Sequence, residues 1–67
     1  MELTQEQKLA ARLIKLRGKK TLKAVAQDAG VAQRALYRWE NGEQMPTFRS
    51  LNRLAQYFRV STQSLLK

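Results

Sequence analysis

The sequence predicts an all-α fold, and three features of the chain predict it. Apolar residues recur at three- and four-residue spacings. Hydroxyl side chains stand where each of several apolar stripes begins. Glycines stand where they end. Together these place helices at about 5–17, 22–29, 33–41, 48–58 and 62–66, a compact five-helix arrangement filling one domain over residues 1–67. A chain of 67 residues has room for one small core and no second one.

Each helix has its own signals. Thr4 caps the first, and Gln7, three residues on, completes a capping box. Leu9, Leu13 and Leu16, with Ala10 and Ile14 beside them, form its buried stripe. Gly18 ends it, after Lys15 and Arg17, whose charges suit the negative end of the helix dipole. Thr21 caps the second helix. Ala32 stands at the cap position of the third and offers no side-chain acceptor, a loss of roughly 1 kcal/mol. Gly42 stops that helix. Pro46 and then Thr47 mark the start of the fourth, whose stripe is Leu51, Leu54, Ala55 and Phe58. Ser61 caps a short last helix ending in Leu65-Leu66-Lys67.

The stretch from Thr21 to Gly42 organises the rest. Val25, Ala26 and Ala29 share one side of its first run, and Val31, Leu36 and Trp39 one side of its second. Gly30 lies between them and tolerates positive φ, so the change of direction belongs there. Ala26 sits where the two helices come closest, and a larger side chain would push them apart. This is the pattern of a helix-turn-helix, whose second helix can enter a DNA major groove.

Composition narrows the function. Thirteen basic residues face five acidic ones, for a net charge of +8. That excess in so small a domain is the electrostatic footprint of a polyanion binder. Arg12, Lys15, Arg17, Lys19, Lys20 and Lys23 follow one another with no acid between them. There is no cysteine and no histidine. The five acids, Glu2, Glu6, Asp28, Glu40 and Glu43, show no paired spacing, so no catalytic set, metal site or cofactor is expected. No apolar run is long enough to span a membrane and the N-terminus lacks a signal-peptide core, which makes a cytoplasmic protein the expectation.

Ala26, Gly30, Val31 and Leu36, then Trp39-Glu40-Asn41-Gly42, Pro46, Leu51, Leu54-Ala55 and Val60-Ser61, resemble the Cro/repressor (xenobiotic-response-element) family of helix-turn-helix DNA-binding domains. The resemblance runs from about residue 8 to residue 66 and rests on the ordered set at these spacings. It implies that Asn41 and the start of the fourth helix, Thr47 and Phe48 with Arg49, grip the DNA backbone. It also implies that Glu40 pairs with an arginine near the end of the first helix, with Arg17 the first candidate and Lys15 the second. Two departures stand out. The turn before the second helix is about two residues short, and Leu22 and Lys20 stand where the family has glutamine and an apolar residue. Lys20, Thr21 and Lys23 could then supply the phosphate contact that the glutamine makes. Arg59 replaces the family's usual glycine, which implies strain on the order of 1 kcal/mol and a reshaped junction.

On the third helix, Leu36 and Trp39 point inward and leave Gln33, Arg34, Tyr37 and Arg38 on the outer face. Arginine can donate twice to guanine, glutamine can pair with adenine, and Tyr37 can reach a phosphate or a thymine methyl. The expected function is sequence-specific recognition of duplex DNA by a transcriptional regulator acting as a repressor. One recognition helix reads too few base pairs to single out an operator, so a homodimer on a pseudo-palindromic site is expected, with Tyr57, Leu65 and Leu66 as candidates for its contact. A protein-interaction or antitoxin module on the same fold is the alternative, and it would call for an apolar outer face on the third helix. RNA binding is a third reading, for which Tyr37 is the one stacking candidate.

Overall fold

The computed structural model, which describes residues 2–66, is all-helical: α1 Gln5–Arg17, α2 Leu22–Ala29, α3 Gln33–Glu40, α4 Phe48–Phe58 and α5 Thr62–Leu66. Lys67, which the sequence places at the end of the last helix, lies outside the described residues. The third helix ends one residue earlier than the sequence suggests. Asn41 is its C-cap, and Gly42 behind it takes φ 72°.

The helices begin where a side-chain oxygen can accept a free amide. Thr4 accepts from the Gln7 N–H at 3.1 Å while the Gln7 side chain accepts from the Thr4 N–H at 2.9 Å. Thr21 accepts from Ala24 at 3.1 Å, Thr47 from Ser50 at 3.2 Å and Ser61 from Ser64 at 3.0 Å. Each of these bonds satisfies one of the orphan donors that every helix start carries. Only α3 lacks one, because Ala32 holds the extended cap conformation (φ −69°, ψ 136°) without an acceptor.

The core is a cluster of aliphatic side chains around one tryptophan. Leu9 and Leu13 of α1, Val25 of α2, Leu36 of α3, Leu54 of α4 and Leu65 of α5 are fully buried. Ile14 departs from the α1 stripe and is 48% exposed. Helix α1 packs against α3 and α5, α2 against α3 and α4, and α4 against α5. Helix α3 is therefore clamped between α1 and α2, and its remaining face is left to the outside. The indole N–H of Trp39 is buried without a hydrogen-bond partner among the described residues.

The junction after α4 is not reshaped. Arg59 takes the left-handed conformation (φ 58°, ψ 45°). Its N–H reaches the Gln56 carbonyl at 3.2 Å and the Val60 N–H reaches the Ala55 carbonyl at 2.9 Å. That is the Schellman pair usually built on glycine. These paired bonds offset the roughly 1 kcal/mol of left-handed strain.

The bare start of α3 leads to a stability prediction. Ala32→Ser restores an acceptor at a position that already has cap geometry, and should stabilise the fold by about 1 kcal/mol. In a domain of this size that raises the melting temperature by roughly 4–8 °C. A thermal melt followed by circular dichroism checks it, and an unchanged midpoint contradicts it.

Candidate nucleic-acid interface

The interface is built on the turn between α2 and α3. Gly30 takes the left-handed conformation (φ 78°, ψ 33°), and the N–H groups of Gly30 and Val31 both reach the Ala26 carbonyl at 3.0 Å. Ala26 is buried. On α4, Arg53 donates from Nη1 to the Gly30 carbonyl at 2.7 Å. This places a cation at the negative end of α2 and ties the turn to α4. Nothing in the periodicity of the sequence singles out Arg53, because its partner is a backbone carbonyl on another element.

The turn sets the face of α3. Gln33, Arg34, Tyr37 and Arg38 are all exposed, and Tyr37 keeps 55% of its surface. Gln33, Arg34 and Tyr37 meet Leu22 of α2 around one shallow groove. Arg38, on the same face, does not line that groove.

Several of the flanking residues have local partners. Thr21 and Thr47 serve as helix caps. The Asn41 amide donates to Glu43 at 3.2 Å. The Lys20 ammonium donates to the Tyr57 hydroxyl at 3.3 Å and lies 5.3 Å from the centre of its ring. Lys23, Phe48 and Arg49 are exposed, Phe48 by 75%. The last group of candidates needs correcting. Leu65, expected at a dimer contact, has no exposed surface and is spent on the core of its own chain. Tyr57 and Leu66 are half-buried and keep some outer surface.

Behind this face, α3 is fixed to α1. Arg17 donates from Nε to Glu40 Oε2 at 2.8 Å and from Nη2 to Glu40 Oε1 at 2.9 Å, and its Nη1 reaches the Lys20 carbonyl at 2.9 Å. The Glu40 side chain is 7% exposed and that of Arg17 is 24%. The hydrogen bonds to Glu40 raise the pKa of Arg17; burial opposes the shift and the charge of Glu40 adds to it. A raised folded pKa on a cation means that its contribution is complete below the ordinary arginine value and is lost only as pH climbs through the higher folded value. The Arg17 side of the pair is therefore constant throughout the neutral range.

A short turn between two helices, with a polar basic outer face on the second, defines a helix-turn-helix DNA-binding module. A model of the helix-turn-helix family matches residues 9–65, and the chain belongs to the Cro/C1-type branch of that family. It is a DNA-binding transcription regulator in the general sense that membership carries, in a family that is regulatory and not typically enzymatic. No curated protein matches the chain. No helix among the described residues is long and apolar enough to cross a membrane.

The Arg17–Glu40 pair is open to direct measurement. Arg17→Ala strands a buried carboxylate and should destabilise by roughly 2–4 kcal/mol, between the values for exposed and fully buried pairs. Glu40→Gln keeps an acceptor and should cost less. A double-mutant cycle by urea denaturation reads the coupling, and a value near zero would show that the two side chains are energetically independent.

Proposed function

We propose that the protein is a repressor that binds a pseudo-palindromic operator as a two-fold dimer and reads the major groove with α3. The observation that carries this reading is the outer face of α3, where four polar or basic side chains are exposed together on the second helix of the motif. Arg34 and Arg38 are suited to guanine O6 and N7, and Gln33 to adenine N6 and N7. Tyr37 adds a hydroxyl and an apolar ring.

Phosphate contacts supply orientation and much of the affinity. Lys20, Thr21 and Lys23 flank the start of α2 for one contact region. Asn41 at the end of α3, with Thr47, Phe48 and Arg49 at the start of α4, forms another, through side chains and through the amides that a helix N-terminus presents. Two copies with recognition helices about 34 Å apart would address half-sites one helical turn apart on one face of the duplex. Tyr57 and Leu66 are the surface left for that contact. So small a patch supports weak association in free solution that is completed on DNA.

Several outcomes follow from these roles. With roughly six or more phosphate contacts per dimer, log K should fall against log salt with a slope near −0.9 per contact. Salt-independent binding would contradict the electrostatic half of the reading. Arg34→Ala or Arg38→Ala should lose about 1–3 kcal/mol on the preferred site and relax one base pair, whereas Lys23→Ala should weaken all sequences alike. Equal losses on random DNA would remove the two arginines from base readout. Titration of the protein against a full operator and a single half-site gives the stoichiometry. One copy per full operator, with no gain from the second half-site, rules out the dimer.

A further inference from the structure

The groove on the interface contains one residue that the recognition helix does not supply. Leu22 is the first residue of α2, directly after its Thr21 cap. It is half-buried, with part of its side chain packed on the core and the rest facing the groove that Gln33, Arg34 and Tyr37 line. Tyr37, which lines the same groove, is 55% exposed. An isobutyl group and an exposed tyrosine thus line the same shallow groove beside Gln33 and Arg34. Water gains nothing from such a site, whereas a small apolar group carried on a polyanion would.

We propose that this groove receives the 5-methyl group of a thymine, so that base selection uses α2 as well as α3. The inference rests on the reading that α3 lies in the major groove, where thymine presents its methyl beside the O4 acceptor. The rim of the groove matches both features. Leu22 and the Tyr37 ring offer apolar surface to the methyl. Arg34 has donors and no acceptor, and the Gln33 amide can donate as well, which suits the neighbouring O4. Cytosine would set its N4 donor against the Arg34 donors. Uracil would keep the acceptor and leave the apolar space empty. The structure therefore assigns Leu22 a specificity-determining role at a position that lies outside the recognition helix.

The test needs only the protein and synthetic duplexes. Selection from random duplex DNA first defines a preferred site. Each thymine of that site is then replaced singly by uracil, which removes one methyl group and alters no base pair. At one thymine per half-site, affinity should fall about fourfold, the equivalent of one methyl group returned to water. Placing 5-methylcytosine opposite guanine there should bind more weakly than thymine, because the methyl remains but the acceptor is lost. For Leu22→Ala the thymine-to-uracil ratio should approach one. That ratio is measured within a single protein, so a reduced folded fraction cancels. A flat uracil response at every thymine, 5-methylcytosine binding as tightly as thymine, or an unchanged ratio in Leu22→Ala would overturn the assignment. Failure of the selection to enrich any sequence would instead remove the underlying reading of α3, and this inference with it.

Discussion

The relative placement of α1, α2 and α3 depends on one guanidinium. Arg17 is the last residue of α1, and its planar fork holds both oxygens of Glu40, the last residue of α3. Its third nitrogen holds the Lys20 carbonyl, directly before the cap of α2. Three helices are thereby referenced to one rigid, permanently charged group. A lysine could neutralise Glu40, but it has no fixed fork and could not define the angle between α1 and α3 in the same way. The short connection from Gly18 to Lys20 makes this geometry possible, because it keeps the start of α2 within reach of the same side chain. The chain's short turn and its partly buried ion pair are two sides of one constraint.

Charge works against the fold and for its function. A net charge of +8 is carried within a radius of gyration of 10.7 Å. The molecule measures 34 × 21 × 20 Å, more than a Debye length at ordinary ionic strength in every direction, so each cation repels its near neighbours and feels the far side only when salt is dilute. Burying Glu40 against Arg17 removes an exposed acid without changing the sum. Dilute salt should therefore loosen the free protein while tightening its hold on DNA. A polyanion that binds only the folded form stabilises it by mass action. Part of the stability of this small domain thus resides in its ligand.

Much of this architecture was legible in the sequence because it is written in local chemistry. Thr4, Thr21, Thr47, Gly18 and Gly30 fix helix ends through bonds that span three or four residues, and the described boundaries follow them closely. The outer face of α3 was legible for the same reason, since Leu36 and Trp39 set its phase. Contacts between distant elements were not. Arg53 reaches a backbone carbonyl on the α2–α3 turn, and Lys20 reaches the Tyr57 hydroxyl, neither of which leaves a trace in spacing. Leu65 shows the limit from the other side. In a helix of five residues, two adjacent leucines carry no phase information, and packing alone decides that Leu65 turns inward and Leu66 stays at the edge. Arg59 was misjudged because a residue's own preference is weaker than the paired carbonyl bonds that hold it left-handed.

The buried indole of Trp39 gives the molecule a built-in optical label. It is the single tryptophan of the chain, it lies on α3 next to Glu40, and its N–H is buried without a hydrogen-bond partner among the described residues. Such an indole fluoresces at short wavelength because no polar surroundings relax its excited state. Any event that reseats α3 against α1 would open that pocket to solvent and shift the emission to the red. The chain contains no second indole to mask the signal. The chain therefore reports the seating of α3 by light, with no dye attached.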